Sequence, residues 1–342
     1  MDIDTNPMRF GSGQAVRRIE DEGLLCGRGQ FTDDVAAPGL AWACFVRSPQ
    51  AHALITAVDS AAAQTMPGVL QVLTGAQLVQ AGVLPMPAPA NFKRADGSAA
   101  AAPVRHMLAT DRVRFVGEAV AVVVAASLQQ ARDAAEAVQV QYQELPMVVD
   151  IAAAMAPGAP VICEAAPDNI SAAMRHGDVA ATAAAFAQAR HVVRLALRNQ
   201  RVAAVTLEPR SVLVSPEPGS GRLIMRLSTQ MPSGVRNAVC DALGLARDHV
   251  RVVVGDVGGG FGMKTGAYPE DIVLVHCART LARPVKWVAD RGEEFTSSFH
   301  VGTSRARPNW PWRRTAGSWR CAWPRRPTSG PTRTAPGSPS SC

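Results

Sequence analysis

Glycines at 258, 259, 260 and 262 surround a single phenylalanine in the stretch Gly255-Asp256-Val257-Gly258-Gly259-Gly260-Phe261-Gly262-Met263-Lys264. Residues without a Cβ enter left-handed turns freely and leave their N–H groups open to a ligand. A ribbon of this kind can lie directly against a bound group, with Phe261 supplying one apolar surface among bare main chain. It is not a phosphate loop. That motif needs Gly directly before Lys-Ser/Thr, and Met263 intervenes before Lys264-Thr265. No G-x-G-x-x-G can be drawn through it either. Taken alone, the same glycines fit a tight β-turn inside an ordinary sheet equally well.

Upstream stands a second polar cluster, Leu227-Ser228-Thr229-Gln230-Met231-Pro232. Pro232 suits a first helical turn, Val235, Val239, Ala242 and Leu243 keep a 3.6-residue stripe, and Gly244 can close the helix. The apolar run 250–254 then reads as a strand leading into the glycine ribbon. By itself Gln230 could simply cap the helix that follows. Together, however, S-T-Q at a strand end and G-G-G-F-G after the next strand resemble the cofactor-binding subunit of the molybdenum hydroxylases. That family comprises xanthine dehydrogenase, aldehyde oxidase and carbon monoxide dehydrogenase. The resemblance extends to Arg112-Val113-Arg114-Phe115-Val116-Gly117-Glu118-Ala119-Val120-Ala121-Val122-Val123, to Tyr142-Gln143-Glu144-Leu145-Pro146 and to Leu207-Glu208-Pro209-Arg210. It spans roughly residues 15–300, with the motifs in the family's order.

What the resemblance implies is specific at a few positions. Gln230 corresponds to the glutamine whose amide hydrogen-bonds an oxygen ligand of molybdenum, and a buried neutral donor there avoids the desolvation cost of a cation. Gly259, Gly260, Phe261 and Gly262 correspond to main chain that approaches the metal and pterin. The implied cofactor is molybdopterin, in its cytosine dinucleotide form. FAD and a 2Fe-2S centre are expected only on partner subunits, a flavin subunit and an iron–sulfur subunit. The implied reaction hydroxylates or oxidises an aldehyde, an N-heterocycle or carbon monoxide, a small-molecule substrate, with water as oxygen source. The family's catalytic glutamate lies near the far end of a much longer chain. No catalytic residue and no protein metal ligand is therefore assigned here, and Glu118, Glu144 and Glu208 receive no proton-transfer role. The alternative is an inactive truncated fragment or a non-enzymatic interaction module.

The remaining residues agree with metal held by a pterin. There is no H-E-x-x-H and no C-x-x-C, and the seven histidines and seven cysteines are scattered. Iron–sulfur centres need clustered cysteines, so electrons must leave through a partner. Widely spaced cysteines in odd number also argue against a disulfide framework, and a cytoplasmic location is expected. The polar start has no signal-peptide pattern, and no apolar run is long enough to span a membrane.

The net charge of +7 is unevenly placed. Residues 301–342 hold eight arginines, no acidic residue and four of the six tryptophans, whereas residues 1–300 hold 27 Lys and Arg against 28 Asp and Glu. Arg interleaved with Trp could bind single-stranded nucleic acid, or the segment could be a disordered extension. We read it instead as out of frame from near His300, and expect neither nucleic acid nor membrane as partner. With CGN arginine codons, 308–316 must read CCN-AAY-TGG-CCN-TGG-CGN-CGN-ACN-GCN. Shifted to the third base, it yields Leu-Ala, an aliphatic residue, Ala, a small residue, then options that include Asp-Gly. That is a strand running into a hairpin turn.

These motifs require elements to hold them. Residues 1–150 read as an α+β unit with strands near 40–46, 53–58, 68–73 and 120–126, a helix capped by Ser127, and a closing strand through Val138, Val140 and Tyr142. By resemblance this is the family's α/β hammerhead domain. Residues 151–176, rich in Ala, Pro and Gly, read as a linker. Residues 177–300 read as the first part of a mixed-sheet molybdopterin-binding domain. It has an alternating strand through Val193, Leu195 and Leu197, a hairpin turning at 215–221, a helix from Pro269 and a strand at 285–288. The fold class expected is thus α+β, a hammerhead domain followed by an incomplete cofactor-binding domain, with 301–342 as a disordered tail.

Overall fold

The computed structural model describes residues 18–87, 92–174, 176–300, 304–306, 309–312 and 325–326. At its centre lies a mixed seven-stranded sheet. The strand order is Val250–Val253, Leu223–Leu227, Ser211–Pro216, Val285–Val288, Ala41–Arg47, Ala119–Ala125, Val69–Thr74. Leu223–Leu227 runs parallel to Val250–Val253, and Ala41–Arg47 runs parallel to Val285–Val288; the other pairs are antiparallel. The class is α+β, as the hydrophobic periodicities require.

Ala119–Ala125 is buried at every residue. A strand with a neighbour on each side and core on both faces reads as a continuous apolar run rather than an alternating one. Its side chains still alternate: Val122 and Val124 join the larger core cluster, while Ala121 and Val123 join a second cluster beneath helix Leu128–Glu136. Ser127 caps that helix by accepting from the Gln130 N–H. A smaller sheet of Arg112–Val113, Ala53–Asp59 and Gln139–Glu144 packs Ala53, Val113 and Tyr142 against Val120. On the other side, helices Pro232–Leu243 and Pro269–Leu281 cover the larger cluster, which includes Trp287. Pro opens each helix, and Gly244 ends the first at φ 62°.

Three features differ from the sequence reading. Strands from 1–150 and from 177–300 join in one sheet, with Ala41 opposite Val285 and Trp42 opposite Lys286. Nothing local announces a parallel pairing across so long a sequence separation. The single strand expected through 193–197 is two short exposed strands, His191–Arg194 and Leu197–Asn199. They pair antiparallel with Asn309–Trp312 and Ser304–Ala306. These tail segments, with Arg325–Arg326, are extended although the tail has no strand period; main-chain pairing asks for none. The rest of the expected disordered tail lies outside the described residues. Among the described residues no helix is long and apolar enough to cross a membrane.

Candidate cofactor-binding site

Two adjacent parallel strands deliver the site. Leu223–Leu227 ends at Ser228-Thr229-Gln230, and Val250–Val253 runs beside it into the glycine ribbon. Loops beyond the ends of such strands face the same way, so the two motifs meet because their strands are neighbours. The ribbon's entry is pinned by Asp256, whose carboxylate accepts from the Gln30 N–H at 2.7 Å.

Gln230 and the ribbon touch directly. The Gln230 carboxamide oxygen accepts from the Gly262 N–H at 3.0 Å, and the Gln230 N–H donates to the Lys264 carbonyl at 2.8 Å. A Cβ on Gly260 would come within 2.6 Å of the Gln230 side chain, so any other residue at 260 would displace the carboxamide from this position. Gly259 and Gly262 have φ of 105° and 81°, and Phe261 between them has φ 47°. A bulky residue in the left-handed region is strained, and such strain persists only where the surroundings impose it. The Phe261 ring contributes no core, being 73% exposed.

In one respect the site departs from expectation. Gln230 is exposed rather than buried. It stands past the end of its strand, on the open side of the ribbon. Its oxygen is already taken by Gly262, and among the described residues its Nε2 group donates to none. The free part of the amide is the donor.

Behind this face lies a constellation that the sequence reading missed. The Glu208 carboxylate accepts from the Ser228 hydroxyl at 2.6 Å, the Gly258 N–H at 2.8 Å and the Lys264 ammonium at 3.2 Å. Lys264 also donates to the Glu208 carbonyl at 2.9 Å and to the Ser228 hydroxyl at 2.7 Å. Burial pulls the Lys264 ammonium below its usual range, and the neighbouring Glu208 carboxylate opposes that shift. The only available signal was a lysine directly after a glycine ribbon and a Glu-Pro pair elsewhere. Glu118 is placed away from this cluster, with its carboxylate accepting from the Arg114 N–H at 2.7 Å.

A second buried network supports the floor. Arg210 donates to Glu270, Ser297 and Ser298, while Arg47 bridges Glu270 and Glu293. The Arg210 guanidinium also lies 3.9 Å from the Tyr268 ring centroid. Tyr268 in turn donates to the Met263 carbonyl at 2.7 Å, which fixes the ribbon's far end.

The donor set suits an oxygen-bearing, anionic cofactor. The exposed face offers main-chain N–H groups and one carboxamide, with the nearby cation turned inward onto Glu208. Among the described residues, a Cβ at Gly262 would meet no atom within 4 Å. Among the described residues no group of three His, Cys, Asp or Glu is placed to hold a metal ion.

Comparison with known proteins agrees with this geometry. Residues 26–146 match the aldehyde oxidase and xanthine dehydrogenase a/b hammerhead domain. Residues 162–307 match the molybdopterin cofactor-binding domain. The chain is 39% identical over 293 residues to the nicotine 6-hydroxylase large subunit of Paenarthrobacter nicotinovorans, an alignment covering 84% of this chain and 34% of that protein. It is 35% identical over 313 residues to the carbon monoxide dehydrogenase large chain of Afipia carboxidovorans, covering 86% and 37%. The structure of carbon monoxide dehydrogenase from Oligotropha carboxidovorans superposes with a TM-score of 0.78 at 33% identity, over 87% of this chain and 37% of that one. Quinoline 2-oxidoreductase from Pseudomonas putida 86 superposes at 0.74 with 34% identity, again over 87% and 37%. The chain therefore spans about a third of the length of the curated relatives it matches. Both domains, in order and with the S-T-Q end set against the glycine ribbon, place this chain in the molybdenum hydroxylase family, as part of a large, molybdopterin-binding subunit.

Proposed function

We propose that Gln230, Gly259, Gly260, Phe261 and Gly262 bind molybdopterin, in its cytosine dinucleotide form, within a large subunit that oxidises a small molecule. The observation that carries this is the Gln230 carboxamide locked by Gly262, which leaves Nε2 as a fixed neutral donor beside bare main chain. When bound, the molybdopterin centre supplies the two-electron redox chemistry. The chain's own residues would orient it: Nε2 would donate to an oxygen ligand, the main chain of 259–261 would lie against the pterin, and Phe261 would offer an apolar surface. The substrate class is an aldehyde, an N-heterocycle or carbon monoxide, with water as oxygen source. We assign no catalytic base to this chain and propose that it is inactive alone. Iron–sulfur and FAD-bearing partner subunits, and a cytoplasmic location, complete the proposal.

The test is to express the chain together with the coding sequence downstream of codon 300 and the neighbouring subunits, then measure molybdenum and releasable CMP per complex. The wild type is expected to carry both in equal amounts, and Gln230→Ala to lose at least about tenfold in cofactor affinity, the worth of a charge-assisted hydrogen bond. A wild-type complex free of both contradicts the proposal.

A further inference from the structure

The buried Lys264–Glu208 pair lies directly behind the glycine ribbon, in contact with three separate segments. We infer that Lys264 and Glu208 are positioning residues: a buried ion pair that sets the shape of the glycine ribbon and the aim of Gln230. The inference rests on the cofactor reading for its purpose, but its geometry stands independently.

Lys264 acts through both of its polar ends. Its ammonium spends all three N–H donors inward, on the Glu208 carbonyl, the Glu208 carboxylate and the Ser228 hydroxyl. Its carbonyl accepts from the Gln230 N–H at 2.8 Å and from the Thr229 hydroxyl at 3.1 Å. One residue thereby fixes the whole Ser228-Thr229-Gln230 end relative to the ribbon. Glu208 completes the clamp from a third segment. Its carboxylate takes the Gly258 N–H at 2.8 Å, and its own N–H donates to the Gly258 carbonyl at 3.2 Å. A Cβ on Gly258 would lie 2.4 Å from the Glu208 Cβ, so the two backbones could not approach with any other residue at 258.

A packing role alone would not need this chemistry. The Lys264 and Glu208 side chains are 1% and 8% exposed, and two charges of this kind could be replaced by apolar groups at little cost to stability. What apolar groups cannot do is accept from Gly258 while donating to a carbonyl and a hydroxyl of two other segments. The pair is therefore expected to specify geometry more than stability, and the two effects are separable.

The experiment compares the full chain with Lys264→Met, Glu208→Leu and the double variant. It reads the thermal midpoint, amide hydrogen exchange of the peptide covering 255–264, and, in the complex with the downstream product, molybdenum per chain. Each single variant leaves a buried partner unmatched and is expected to lower the midpoint. The double variant is expected to regain most of the midpoint yet still exchange the 258–262 amides about tenfold faster and carry about tenfold less molybdenum. Ser228→Ala, which keeps the ion pair, is the variant of choice should the singles not fold, with the same exchange increase expected in part. A double variant with wild-type exchange overturns the inference, as does Ser228→Ala with wild-type exchange where the singles do not fold. If wild-type chain shows the protected ribbon but its complex carries no molybdenum, the clamp stands and the cofactor reading fails.

Discussion

Phe261 holds a left-handed conformation that glycine would adopt freely, and its ring contributes nothing to the core. Folding stability does not select such a residue; a surface offered to a ligand does. Replacing it with glycine removes the left-handed strain and adds chain entropy to the unfolded state, two effects of similar size and opposite sign. Phe261→Gly is expected to leave stability within about 1 kcal/mol of wild type, measured by urea titration, while lowering molybdenum content of the complex. A large stability loss with unchanged molybdenum would mean that the ring packs structurally. At this scale the sequence was readable where backbone geometry dictates residue type. Glycines at 259, 260 and 262, and a glutamine after Ser-Thr, are local facts. The clamp was not readable, because Glu208, Ser228, Gly258 and Lys264 come from separate segments and none is unusual in its own neighbourhood.

Among the elements, helix Pro269–Leu281 combines two carboxylates of opposite character in its first turn. Burial works against the charged form of Glu270, but Arg210 and Arg47 outweigh it and hold the carboxyl at about 2. Its stabilising contribution is therefore present above its ordinary value of 4.5 and fades as pH falls toward 2. Asp271 has no such partner. Burial raises its carboxyl to about 7, although the Tyr268 N–H it accepts at 2.8 Å favours the charged form. The sign is then reversed: the folded state holds the proton between pH 3.8 and about 7, so stability is full at the acid end and is lost as pH rises through 7. Asp271→Asn keeps an acceptor for Tyr268 and removes the titration. The variant's stability relative to wild type is expected to rise between pH 5 and pH 8 by up to about 3 kcal/mol, read from thermal or urea unfolding at both values. Equal pH slopes for the two proteins would contradict this. The helix start was legible because Pro269 is a local signal; which first-turn carboxylate meets an arginine is set by Arg47 on a distant strand and Arg210 just before another.

Considered whole, the molecule is organised by one sheet that draws strands from both matched domains. The strand positions were legible from apolar runs and alternation, whereas their order was not. The pairing of Ala41–Arg47 with Val285–Val288 depends on the complete fold. This shared sheet also explains how a residue near the start can serve the site: Arg47 reaches Glu270 across it, in the network that carries Arg210 and Tyr268 beneath the ribbon. We propose that this sheet presents one carboxamide and one bare ribbon to a pterin-held metal. A diffraction structure of the cofactor-loaded complex, phased at the molybdenum edge, tests it most directly. The account predicts an oxygen ligand of the metal within about 3 Å of Gln230 Nε2 and the pterin against 259–262. Molybdenum located elsewhere, with Gln230 facing only solvent or protein, would contradict it.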